Sequence, residues 1–306
     1  MGGQVGDSGW LGNVEVFDTK RENNLAVHLC KQLPNDIEES LVAKINIERR
    51  QAAACNHSAT HLLHKSLREV LGNHVEQKGS FVSPDALRFD FSHFQKLTDE
   101  ELRQVEMLAN RKIRANFSLE EHRDTPIEEA KAMGAMALFG EKYGDSVRVI
   151  KFGESVELCG GTHVKSTGEI GLVRIVNEGS VAAGVRRIEA VTAEVAERAY
   201  YHQCDQLKTL KQFFNNAPDL VQAVHKSIEE NAGLKKQIEN FIEEKAVQMR
   251  QTLLDTAFDI NGVKVARFLG EASPEIVRSL VAFLKGKFAN EKFVFVAGTT
   301  NNDKPS

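Results

Sequence analysis

Two short segments carry most of the chemistry in this chain: His57-Ser58-Ala59-Thr60-His61 and, about a hundred residues later, Cys159-Gly160-Gly161-Thr162-His163. Each sets two metal-ligating side chains with three residues between them. Zinc accepts imidazole and thiolate in a tetrahedral set, so His57, His61, Cys159 and His163 describe a split site for Zn2+. The flanking Ala52-Ala53-Ala54 and Leu62-Leu63-His64-Lys65-Ser66-Leu67 predict a helix, which puts His57 and His61 one turn apart on one face. Gly160-Gly161 favours a tight turn in which Cys159 and His163 converge without a helix. A lone His-x-x-x-His pair is more often a core or surface feature; its conjunction with the second pair is what points to a metal. Such an ion, with an exchangeable position, polarises a carbonyl or lowers the pKa of a bound water to about 7, chemistry suited to ester hydrolysis.

The elements that must position these residues follow from periodicity. Val14 to Asp18, Asn24 to Leu29 and Leu41 to Ile47 alternate like strands and predict part of a small β-barrel over 1–50, with Glu48-Arg49-Arg50 leading into the metal-bearing helix. Leu87 to Phe91 alternates again. Thr98 is placed to cap a helix opening with Asp99-Glu100-Glu101 and carrying Leu102, Val105 and Leu108 at helical spacing. Further strands are expected at Val147 to Ile150 and Ile170 to Val176, giving an α+β domain on an antiparallel sheet over 51–192. From 193 to 259 apolar residues recur at three- and four-residue steps, predicting two helices broken at Asn215-Asn216-Ala217-Pro218 and read as a helical hairpin. The imperfect heptad spacing leaves dimerisation through 193–258 as the sharper alternative. Val263 to Phe268, a helix from Pro274 to Phe288 and the strand Phe293 to Ala297 predict a β-α-β unit opening a small α/β domain over 260–306.

With 306 residues, 42% hydrophobic and 27% charged, the composition is that of an ordinary globular chain with room for more than one domain. No apolar run is long enough to span a bilayer and no leader precedes the first strand, so a cytoplasmic location is expected. Cys30, Cys55 and Cys204 are scattered and read as packing or surface thiols rather than disulfide partners. Cys55 lies two residues before His57, off the shared helical face, and is read as a non-ligand. A net charge of −4 argues against a dedicated nucleic-acid binder, so any RNA contact must be local. Arg111-Lys112-Ile113-Arg114 and Arg186-Arg187 are the short basic clusters, and on composition alone each reads as a solvated face.

Six segments in order resemble the editing domain of the alanyl-tRNA synthetase family: Asn56 to His64, Gln77-Lys78-Gly79-Ser80, Arg88 to His93, Gly134 to Tyr143, Cys159 to His163 and Ala182 to Thr192. The editing domain of threonyl-tRNA synthetases shares the His and Cys pattern without this Gly-Gly-Thr. The opening Met1 to Gly9 resembles an internal family segment, and the chain stops at Ser306 before the glycine-rich end expected of the family. The resemblance implies hydrolysis of the ester in alanine transfer RNA mischarged with serine or glycine. A pocket built for alanine cannot exclude glycine, and rejecting an isostere that only adds a hydroxyl is worth about a hundredfold, so a second site must inspect the product. By resemblance Thr60 and Gln77 contact that substrate, Thr60 through a hydroxyl that meets the seryl side chain, and Arg186 and Arg187 become candidates for RNA phosphates.

The residue types alone keep blander readings open. Thr60 can return a hydrogen bond to its own helix, Gln77 can be an exposed turn residue, and Glu154 and Glu157 can be either a general base or surface charges. Four protein ligands close a zinc site, and closed sites are usually structural, so a non-catalytic zinc module binding RNA or protein is the competing reading. A helical interaction protein, resting on residues 193 to 258 alone, is the third. Nothing in the chain resembles an ATP-binding synthetase core.

Overall fold

The computed structural model describes residues 3–23, 25–35, 40–136, 144–301 and 304–305. The chain opens with β1 (Gly9–Leu11), β2 (Val14–Glu22), β3 (Leu25–Cys30) and β4 (Ala43–Ile45), an antiparallel sheet ordered β3-β2-β1-β4 that is open rather than a closed barrel. The strand expected to run to Ile47 stops at Ile45. Asn46 takes an extended conformation and its side chain accepts from the Arg49 backbone N–H, so helix α1 (Ile47–Leu71) begins earlier than the expected boundary at 50.

A second antiparallel sheet, ordered β10-β11-β6-β5, is the platform for α1. It is built from β5 (Gln77–Val82), β6 (Leu87–Ser92), β10 (Val173–Ala182) and β11 (Val185–Thr192). Leu87, Phe89 and Phe91 of β6 with Ile188 and Ala190 of β11 meet Ala59, Leu62, Leu63 and Leu67 of α1 in one core, all essentially inaccessible. Burying each Leu or Phe contributes about 1.5–3 kcal/mol, so this face fixes the rotation of α1 and with it the direction its histidines point. Helix α2 (Asp99–Arg114) packs on α1; Thr98 and Glu101 form a reciprocal capping box, as the sequence predicts. The strand expected from Ile170 starts at Val173, because Thr167–Ile170 is a single 3₁₀ turn closed by Gly171 at φ 71°.

The third sheet, ordered β7-β8-β9, leads into the turn that carries the second ligand pair. It comprises β7 (Glu120–Pro126), β8 (Ser146–Phe152) and β9 (Ser155–Leu158), with α3 (Ile127–Ala132) beside it. Of the segment Gly134 to Tyr143, Ala137 through Tyr143 lie outside the described residues.

Contacts divide the chain into two compact units, Met1–Asp205 and Gln206–Ser306. Two long helices follow β11, α4 (Ala193–Phe213) and α5 (Leu220–Asp255), broken where the sequence predicts. In the second unit, β12 (Phe258–Ile260) and β13 (Val263–Glu271) are antiparallel, while β13 and β14 (Lys292–Asn301) are parallel and joined through α6 (Pro274–Lys287). This is the expected β-α-β unit. Its core joins Ala246 and Leu253 of α5 to Ile276, Leu280 and Leu284 of α6 and Ala266 of β13.

Candidate metal centre

His57 and His61 project from α1 toward the turn that leaves β9. Cys159 continues the β8/β9 pairing, its backbone N–H donating to the Arg148 carbonyl at 3.1 Å, and the chain then turns through Gly160 and Gly161. One ligand atom each from His57, His61, Cys159 and His163 lies within 4.8 Å of all the others. Cys159 Sγ is 3.3 Å from His57 Nε2 and 3.3 Å from His163 Nε2. The His163 ring centroid lies 4.5 Å from that of His57 and 4.6 Å from that of His61. Gly161 permits this approach: a Cβ there would sit 2.0 Å from His57 Cε1.

The electrostatics fit a cation. Burial pushes the Cys159 thiol up, but the neighbouring His61 charge and hydrogen bonds from the three imidazoles outweigh it and bring its pKa down to about 2. Burial lowers His61, yet the Glu157 carboxylate and the Cys159 thiolate raise it to about 9. Burial holds His163 down at about 3, the neutral state a metal ligand needs. A thiolate and a carboxylate thus share a buried pocket, and the buried His61 Nδ1 has no hydrogen-bond partner. Donor types, proximity and this orphaned nitrogen all suit zinc.

A surrounding layer holds the rings. Glu157, buried, accepts from His64 Nδ1 at 3.0 Å and lies 3.6 Å from His61 Nε2. Glu154, which sequence alone leaves equivalent to it, is instead exposed and 3.9 Å from Lys65. Ser58 Oγ is 3.0 Å from His163 Nδ1, and Gln4 Oε1 is 2.6 Å from His57 Nδ1. Arg148 ties down the turn: its Nη1 donates to the carbonyls of Cys159 (3.0 Å) and Gly161 (2.6 Å), while its Nε donates to Glu121 (2.6 Å). Gln4, Ser58 and Arg148 are not singled out as site residues by the sequence, and of the two candidate carboxylates only the fold selects Glu157.

A cavity of about 740 Å³ opens beside the cluster, with Thr60, Gln77, Glu157, Lys20 and Arg21 in its lining. Thr60 donates to the Asn56 carbonyl at 2.9 Å, the helix back-bond of the bland reading, while its oxygen keeps accepting capacity. Gln77 is half-buried on β5 rather than in a turn, and its amide donates to Ser80 Oγ at 3.1 Å. Cys55 stays outside the cluster: its thiol is 3.5 Å from the Glu169 carbonyl, and burial raises it to about 11.

The basic clusters are largely drawn to carboxylates. Arg187 makes a bidentate pair with Asp90 across β11 and β6 (2.6 and 2.8 Å), Arg186 Nε donates to Glu178 at 2.6 Å, and Lys112 pairs with Glu69 at 3.0 Å. The polar ends of Arg186 and Arg187 are therefore committed within the sheet rather than held out toward RNA.

Residues 147–189 match the family model described as the threonyl and alanyl tRNA synthetase second additional domain. The chain is 58% identical to an alanine–tRNA ligase of Parabacteroides distasonis and 58% to one of Bacteroides fragilis, each over 99% of this chain. It is 46% identical to one of Flavobacterium psychrophilum over 98% of this chain. It spans about a third of the length of these relatives, 35% in each case.

Proposed function

This chain belongs to the alanine–tRNA ligase family, and from that premise we propose that its His/Cys cluster is a zinc centre at which mischarged alanine transfer RNA loses serine or glycine by ester hydrolysis. The observation carrying the proposal is that four ligand atoms within 4.8 Å of one another border the same cavity that Thr60 and Gln77 line. A zinc with only an architectural task has no need of a cleft.

His57, His61, Cys159 and His163 would hold the ion, which when bound supplies a fixed positive charge able to polarise an ester carbonyl or acidify a water. The protein's own residues do the rest. The Thr60 oxygen, its proton turned back to Asn56, is left to accept from a seryl hydroxyl, while glycine enters for lack of anything to exclude. Gln77 and Ser80, hydrogen-bonded to each other on β5, offer amide and hydroxyl groups to the ester or to the terminal ribose. Lys20 and Arg21 of β2 line the outer cavity and meet phosphates of the single-stranded acceptor end. Glu157 keeps the His61 and His64 rings in place, and its burial takes it out of consideration as a surface charge.

The test is release of serine from seryl-tRNA carrying the alanine anticodon and acceptor stem, with and without chelator. Chelator-sensitive release that spares the alanyl ester is expected; no release with zinc bound stoichiometrically defeats the catalytic reading. The closed four-ligand set favours the second reading, a purely structural zinc. Under that reading Thr60→Val and Gln77→Ala change nothing, whereas an editing site loses deacylation with zinc retained. Alanine ligation is the activity named for the relatives, and no residue of this chain is proposed for it. Self-association through 193–258 is also proposed, supported by exposed Leu207, Leu210 and Phe213 on α4 and Ile228, Leu234 and Ile238 on α5. Light scattering of the full chain at increasing concentration tests it, a constant monomer mass being the adverse result.

A further inference from the structure

We propose that Gln4 is a positioning residue of the metal centre, fixing the His57 ring with Nε2 turned to the ion and locking the Cys159–Thr162 turn against it. Three hydrogen bonds carry the inference. Gln4 Oε1 accepts from His57 Nδ1 at 2.6 Å and from the Thr162 backbone N–H at 2.9 Å, while Gln4 Nε2 donates to Thr162 Oγ1 at 2.7 Å.

The orientation of the carboxamide follows from chemistry rather than choice. A backbone N–H can only donate, so the group facing it must be the oxygen; the same oxygen then meets His57 Nδ1 and requires a proton there. The ring is thereby held with a proton on Nδ1, which leaves Nε2, the atom 3.3 Å from Cys159 Sγ, as the nitrogen turned to the ion. One side chain thus touches one metal ligand directly and, through Thr162, the turn that carries two others. Ser58 Oγ lies 3.0 Å from His163 Nδ1, but a hydroxyl can donate or accept there, so only the Gln4 oxygen dictates where its ring carries the proton.

Gln4 comes from a segment 53 residues before His57, and that segment is fastened tightly enough for the task. Val5 N–H donates to the Val82 carbonyl and Val82 N–H to the Gly3 carbonyl, both at 2.9 Å, so Gln4 sits on a parallel bridge beside β5. A Cβ at Gly3 would lie 2.0 Å from the Ser80 carbonyl oxygen, and one at Gly161 would lie 2.7 Å from Gln4 Oε1. Glycine at Gly3 lets the segment lie against β5, and glycine at Gly161 lets the turn reach the His57 Nδ1 edge where Gln4 binds.

The inference rests on the metal reading proposed above, and metal affinity rather than turnover keeps the two separable. Zinc affinity of the full chain is measured by competition with a chromophoric chelator, and the ligand-field absorption is recorded after Co2+ substitution. Gln4→Met keeps the bulk and removes the acceptor; it is expected to weaken zinc roughly 10- to 100-fold and to shift the Co2+ bands. Gln4→Glu still accepts from His57 and Thr162, and is expected to recover most of the affinity. If Gln4→Met binds zinc within about twofold of the parent with an unchanged Co2+ spectrum, Gln4 only staples the segment and the proposal falls, whatever happens to the melting temperature. If Gln4→Met does not fold, the proposal stands or falls on Gln4→Glu: near-parental affinity and bands support it, and a loss as large as that of a ligand substitution overturns it. A parent chain that binds no zinc removes the metal reading itself, and this inference with it.

Discussion

In the metal-free protein Cys159 and Cys55 are expected to behave as opposites. Hydrogen bonds and charge hold the first as a thiolate down to about pH 2, while burial keeps the second protonated to about pH 11. Iodoacetamide at pH 6 should therefore modify Cys159 and spare Cys55, and zinc should protect Cys159; peptide mass mapping reads both. Glu157→Ala is expected to cost about 3–5 kcal/mol of folding stability in chemical denaturation, because it leaves the buried His61 without its carboxylate and the buried His64 Nδ1 without its hydrogen-bond partner. How much of this was legible depended on whether partners were near in sequence. His57 and His61 announce themselves because one helical turn fixes their relation, and Cys159 and His163 because a Gly-Gly turn does. Glu157 and Glu154 look alike in the sequence, and only the packing of β9 against α1 tells the buried carboxylate from the exposed one. Gln4 was illegible for a plainer reason: a glutamine in a glycine-rich segment has no pattern until the fold brings His57 and Thr162 to it.

Between elements, arginines that only the family resemblance makes candidates for RNA phosphates serve as cross-strand ties. Arg187 and Asp90 are register partners on β11 and β6, and their pair is partly buried. Arg187→Ala is expected to destabilise by about 1–3 kcal/mol, the cost of a carboxylate left short of partners, and to leave the salt dependence of RNA binding unchanged. Thermal melts and a salt titration separate those effects. Glu121 on β7 is held by hydrogen bonds from Arg123 and Arg148, which bring its pKa down from 4.5 to about 2. A carboxyl depressed by folding stabilises fully above its unfolded value and loses that contribution as pH falls toward the folded one. Glu121→Gln should therefore be less stable than the parent at pH 7, with the gap closing between about pH 4.5 and 2. The sequence shows strands where one face is clearly apolar, as in β6. It conceals β7, whose Glu-Glu-His-Arg-Asp run is mostly exposed, and β5, whose Lys78-Gly79-Ser80 gives no alternation.

For the whole molecule, two compact units with separate cores predict two calorimetric transitions. The ligands all lie in the first, so chelation should lower one transition and leave the other within about a degree, since an ion bound only by the folded state stabilises only the unit that holds it. A single transition that moves as one would mean that the cores are not independent. The spacing of the donors has a further consequence for how the protein is made. Cys159 meets His57 across 102 residues, and Gln4 meets Thr162 across 158. During synthesis the helical pair begins 102 residues before Cys159, and closing so long a loop is entropically costly. Unlike a zinc finger, whose ion gathers a short local loop, this chain can take its metal firmly only after the ribosome has passed His163. Metal capture then waits for both ligand pairs and does not start the folding of the helix that carries the first.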